Sequence, residues 1–155
     1  MNRILMRGAV VFGLLFFCTL TPEVTAGAFA QDYDAAMAMY RVAKTKAEYE
    51  AAAQRFQALA ERKDAGLYKV NALYWLAECW YDLKQYLRAL NGFERVLLFP
   101  MSNKEADARF KVALCYARLG WVKGARWEFE QFLRDYPHSA NASKARAELQ
   151  RLNAR

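Results

Sequence analysis

Between residues 66 and 137 the apolar positions recur at helical spacing. Leu76, Ala77, Trp80 and Leu83 fall at i, i+1, i+4 and i+7, one stripe of a helix. Ala89, Phe93 and Val96 fall at i, i+4 and i+7 and form a second stripe. Only Lys84-Gln85 separates the two, room for a tight turn between antiparallel helices. The pattern then returns. An offset of 36 sets Leu76 on Val112, Ala77 on Ala113, Cys79 on Cys115, Trp80 on Tyr116 and Leu83 on Leu119. The same offset carries Ala89 onto Ala125, Phe93 onto Phe129 and Val96 onto Phe132, with Gly120-Trp121 as the second turn. Upstream, an offset of 37 sets Tyr49 on Tyr86, Ala52 on Ala89, Phe56 on Phe93 and Leu59 on Val96. Each unit is a helix hairpin that cannot bury both faces alone and must stack on its neighbours.

Residue size predicts how the hairpins close. Ala77 and Ala113 are small on the first helix of their units, and Ala89 and Ala125 on the second, so the paired helices can approach closely. Phe93, Phe129, Trp80 and Tyr116 then fill the space around the contact. Helices are predicted near 32–45, 47–62, 67–83, 85–98, 103–119, 122–135 and 139–152. Pro100 and Pro137 close units by pushing the preceding residue out of helical geometry. Ser102 and Ser139 are predicted as N-caps just beyond them. The last helix carries Ala142, Ala145 and Leu149 on one stripe and charge elsewhere, as a solvated cap does. The fold class predicted is all-α: about three helix hairpins in a superhelix, plus a C-terminal capping helix.

The N-terminus breaks the pattern. Arg3 and Arg7 precede an apolar run from Ala9 to Leu20, followed by Ala28-Phe29-Ala30. Basic, apolar and small-residue segments in that order predict a cleavable signal peptide over residues 1–30 and a domain over 31–155, with a cut after Ala28 as the second choice. The apolar run is too short for the roughly 20 residues that span a bilayer, so no stable membrane span is expected after cleavage. Lipid attachment at Cys18 is disfavoured by the bulky Phe17 before it. The expected location is therefore the periplasm. The formal charge of the whole chain is +7, with aromatics at 15% and only three prolines, which argues against disorder. Losing Arg3, Arg7 and Glu23 with the leader lowers that charge by one. The excess is spread along the chain and not gathered into a run, so no nucleic-acid partner is expected.

The repeat positions resemble the tetratricopeptide pattern of a large residue, Leu-Gly/Ala, an aromatic, Ala, an aromatic and Pro. Asp32-Tyr33-Asp34-Ala35-Ala36, Asn71-Ala72-Leu73-Tyr74-Trp75-Leu76, Ala106 to Val112, and Tyr136-Pro137-His138-Ser139 with Ala142 and Ala145 narrow it further. Across 31–155 they resemble the C-terminal repeat domain of the periplasmic Tol-Pal system protein that coordinates cell-wall synthesis with outer-membrane constriction. More generally they are similar to outer-membrane-assembly-type tetratricopeptide proteins. The first repeat departs from the pattern, with Glu61-Arg62-Lys63-Asp64-Ala65-Gly66 in place of the proline turn. The resemblance implies a protein-protein interaction adaptor whose partners are envelope proteins, a Tol-Pal component or a peptidoglycan synthase. The alternative is a structural subunit of an outer-membrane assembly or secretion complex.

No catalytic residue, metal set or cofactor is expected. His138 is the single histidine and stands in a turn, with no triad arrangement around it. Cys79 and Cys115 occupy equivalent positions on stacked helices about 8–10 Å apart, too far for a disulfide, and are expected as buried thiols. The four tryptophans are expected to pack within or between repeats. Function is expected on the inner face of the superhelix, lined by first-helix residues that point away from the second helix. These are Asn71, Tyr74, Glu78, Tyr81, Asp82, Phe110, Leu114 and Arg118, with Lys144 and Arg151 from the cap. Exposed tyrosines beside charge are the expected means of binding a partner.

Overall fold

The computed structural model describes residues 22–66 and 68–154, with side chains from residue 27 on, Asp64 excepted. Arg3, Arg7, the apolar run Ala9 to Leu20 and Cys18 lie outside the described residues. Among those described, the chain is helical without a strand: α1 (Pro22–Val42), α2 (Lys46–Glu61), α3 (Tyr68–Asp82), α4 (Tyr86–Leu97), α5 (Glu105–Arg118), α6 (Val122–Asp135) and α7 (Ala142–Asn153). A 3-10 turn, Lys63–Ala65, joins α2 to α3. Each helix packs on the next in sequence, from α1·α2 through α6·α7. This is a tetratricopeptide-like superhelix of three hairpins closed by a capping helix.

The repeat seen in sequence is the repeat of the core. Ala52, Ala89 and Ala125 are fully buried, as are Phe56, Phe93 and Phe129 one turn on. Ala77 and Ala113 face them from α3 and α5, also with no exposed surface. Gly92 belongs to the same close approach: a Cβ there would stand 2.8 Å from the Ala77 Cβ. The turns inside the second and third hairpins share one geometry. Gln85 N–H donates to Trp80 O at 2.9 Å and Trp121 N–H to Tyr116 O at 3.0 Å, with Lys84 and Gly120 at positive φ between helices. These are helix ends closed by a left-handed residue and a bond reaching back five positions.

Where the signal was periodic, the predicted boundaries for α2, α3, α4 and α6 lie within a residue of those observed. The starts of α5 and α7 are corrections. Lys104, not Ser102, is the N-cap of α5; Met101 N–H instead donates to Glu105 Oε2 at 2.6 Å, adding a turn before the helix. Asn141, not Ser139, is the N-cap of α7, and Ser139 Oγ accepts from Asn141 N–H at 3.2 Å one step earlier. The start of α2 has a complete capping box: Thr45 Oγ1 accepts from Glu48 N–H, and the Glu48 carboxylate accepts from Thr45 N–H. That box ends α1 at Val42, short of the predicted residue 45. At its other end α1 begins ten residues before the predicted start, and Phe29 is 1% exposed.

α7 caps the stack. Ala142, Ala145 and Leu152 are buried, and Arg126 on α6 donates to Leu152 O at 2.6 Å. Its other face, with Lys144, Arg146, Ala147, Gln150 and Arg151, is exposed.

Candidate binding groove

First helices and cap enclose a hollow of about 560 Å³. α3 contributes Tyr74 and Trp75; α5 contributes Asp107, Phe110, Lys111, Leu114 and Arg118; α7 contributes Lys144, Ala147 and Glu148. Lys104 and Asn141, each one residue before a helix, complete the rim.

Charge is held beneath and around this hollow by specific pairs. Glu78 is 5% exposed, and its Oε2 accepts from Lys111 Nζ at 2.6 Å. Burial raises the Glu78 pKa above its ordinary value, and the Lys111 ammonium opposes that rise. The Tyr74 hydroxyl is raised by burial first and by neighbouring Glu78 next, so it stays protonated. Lys111 Nζ also stands 4.7 Å from the centre of the Tyr81 ring, and Lys104 Nζ stands 5.0 Å from Tyr74 and 5.6 Å from Trp75. Arg118 Nε donates to the Tyr81 hydroxyl at 3.2 Å. On the opposite wall Asn141 Nδ2 donates to Asp107 Oδ1 at 2.9 Å, and Arg151 pairs with Glu148. Four cations on the walls thus face two carboxylates, Asp107 and Glu148, with the buried Glu78 engaged below.

Of the residues expected on the inner face, Tyr74, Phe110, Leu114, Arg118 and Lys144 come together in the hollow. Glu78 and Tyr81 adjoin it through Lys111 and Arg118. Three lie elsewhere. Asn71 borders a separate apolar hollow with Tyr68, Val70, Phe99 and Met101. Asp82 accepts from the Tyr40 hydroxyl at 2.7 Å, tying α3 to α1. Arg151 reaches the groove only through Glu148. The expectation of exposed tyrosines is corrected: Tyr74 is 7% exposed and Tyr81 half-buried, because each packs under a neighbouring lysine. Trp75 presents the accessible aromatic edge, while its ring lies 5.1 Å from Tyr40 between repeats, as expected.

One tryptophan departs from expectation: Trp127 stands exposed on the outer face of α6, whereas Trp121, though half-exposed, packs edge-on against Tyr116 within its own hairpin at 5.3 Å. Lys104 and Asn141 sit in turns, where helical periodicity says nothing of direction. Lys111, Asp107 and Glu148 lie on predicted helices and could have been found by asking which charges neighbour Glu78 across the stack.

Cys79 and Cys115 are free, fully buried thiols, their pKa values pushed up to about 12, chiefly by burial. His138 is exposed in its turn. Among the described residues no cluster of three or more His, Cys, Asp or Glu could hold a metal, and no helix is long and apolar enough to cross a membrane. No family model matches the sequence, and no curated protein is similar enough to it to count as a relative.

Proposed function

We propose that the protein is an exported adaptor of the cell envelope whose α3–α5–α7 groove holds an extended segment of a partner protein. The carrying observation is the pairing of apolar walls, Trp75, Phe110 and Leu114, with a cationic rim, Lys104, Lys111, Arg118 and Lys144. Apolar area supplies affinity, and positive charge selects a segment with acidic side chains and speeds its encounter. The sequence resemblance supports a Tol-Pal component or a peptidoglycan synthase as the partner, in the service of envelope constriction during cell division. The leader-like N-terminus supports the periplasm as the place. No catalytic step is part of this reading.

The test uses positions that are exposed, so that binding changes without the fold. The exported protein and its Arg118→Glu/Lys144→Glu variant are compared as bait for envelope proteins, with helicity checked by circular dichroism. The partner should bind the variant weaker by about tenfold or more. Equal binding by both removes the groove from the account. Tyr74→Ala is a poor substitute, because Tyr74 is buried and its loss would disturb the fold.

A second reading, a structural subunit that assembles through its edge, has one observation in its favour. Leu98, Phe99 and Met101, in the turn between α4 and α5, expose apolar surface, Met101 at 95%. Binding that survives the groove variant but is lost in Leu98→Ser/Met101→Ser would select it.

A further inference from the structure

Phe29 precedes Gln31, the residue expected to begin the mature chain, yet it is a core residue. Its ring is 1% exposed, stacks on Tyr68 with centroids 5.6 Å apart, and lies 5.0 Å beneath the Arg62 guanidinium. Arg62 also pairs with Asp32 at 2.6 Å, so the ring and the ion pair lock the start of α1 onto the α2–α3 connection. The two residues just upstream, Ala28 and Gly27, are exposed, and a Cβ built on Gly27 would meet nothing within 4 Å. Phe29 is thus packed where Gly27 and Ala28 are not.

Two small-residue pairs precede possible cuts. Ala28 and Ala30 flank Phe29, and Ala26 and Ala28 flank Gly27, so cleavage after Ala28 meets the same small-x-small requirement as cleavage after Ala30. We propose that the leader is removed after Ala28 and that Phe29 is the mature N-terminus, an inference that rests on the export reading. Water adds across the Ala28–Phe29 amide: the released leader keeps the Ala28 carboxylate, and the domain keeps the Phe29 amine. The cut falls on a translocating, unfolded chain, so the helix forms afterwards from Phe29 to Val42, as long as α5 and α6. Asp32 then lies in its first turn, where a carboxylate offsets both the new ammonium and the positive end of the helix. Cutting after Ala30 would discard the ring and leave a hollow under Arg62 and against Tyr68.

The full-length chain is produced in a bacterial host with a periplasm, and the exported product is characterised by intact mass and N-terminal sequencing. A chain starting at Phe29 is expected. A periplasmic chain starting at Gln31 overturns this inference and leaves export standing, whereas an unprocessed chain in the cytoplasm overturns both. Phe29→Ala should lower the melting temperature of the exported protein by about 10 °C. An unchanged melting temperature means that Phe29 is not part of the mature core and overturns the proposal.

Discussion

Glu78 stays in the core because Lys111 answers it. Burial raises its pKa, so the folded protein binds a proton at Glu78 more readily than the unfolded chain does. Glu78 therefore supports folding fully below the unfolded value, about 4.3, and that support is lost as pH rises through the folded value. Glu78→Gln should gain stability relative to the parent as pH rises from about 4 to 7, as urea unfolding at a series of pH values would show. A constant difference would mean that the group is not raised. Lys111→Met leaves the carboxylate without its counter-charge and should cost about 3–5 kcal/mol at neutral pH, less in acid. The double variant Glu78→Gln/Lys111→Met should recover most of that loss. The two thiols make a simpler case. With their pKa values pushed up to about 12, Cys79 and Cys115 should ignore a disulfide reagent in the native protein and react only on unfolding. Reaction of either thiol in native buffer would contradict their burial.

At the scale of the helix, close approach governs stability. Gly92→Ala places a methyl group 2.8 Å from the Ala77 Cβ and 3.3 Å from its Cα, so α3 and α4 must separate; unfolding should cost about 1–3 kcal/mol less. Phe93→Ala opens a cavity at the same contact and should cost about 3–5 kcal/mol. Chemical denaturation measures both, and a neutral Gly92→Ala would mean that the helices are not held at this distance. These interior hairpins were legible because their alanines and phenylalanines repeat in step with the chain. The ends were less so. Lys104 and Asn141 displaced Ser102 and Ser139 as caps where Met101 N–H bonds to the nearby Glu105 and Asn141 Nδ2 reaches Asp107, 34 residues away, contacts that no helical spacing encodes. Half of the groove was visible as repeat positions on α3 and α5. Of its cationic rim Arg118 and Lys144 were visible too, but Lys104 and Lys111 were not, because Lys104 belongs to a turn and Lys111 is defined by a carboxylate 33 residues away. Phe29 was hidden for another reason: within a leader-like segment, an aromatic gives no sign of whether it will be kept.

At the scale of the whole molecule, stacking makes a curved body with two unlike surfaces. First helices and cap give the groove of aromatic and cationic side chains, while second helices expose single apolar residues such as Leu87 and Trp127. α7 keeps the groove's far wall in place through Leu152 and Arg126, so shortening the chain before Ala142 should remove both the wall and the partner. The claim that most depends on this geometry is that a partner lies in the groove, and photocrosslinking inside cells tests it at the relevant scale. A photoreactive residue replaces Lys144 in one variant and Trp127, on the other face, in a second. The account predicts that the partner is captured from position 144 and not from 127. Capture from 127 with none from 144 would contradict it.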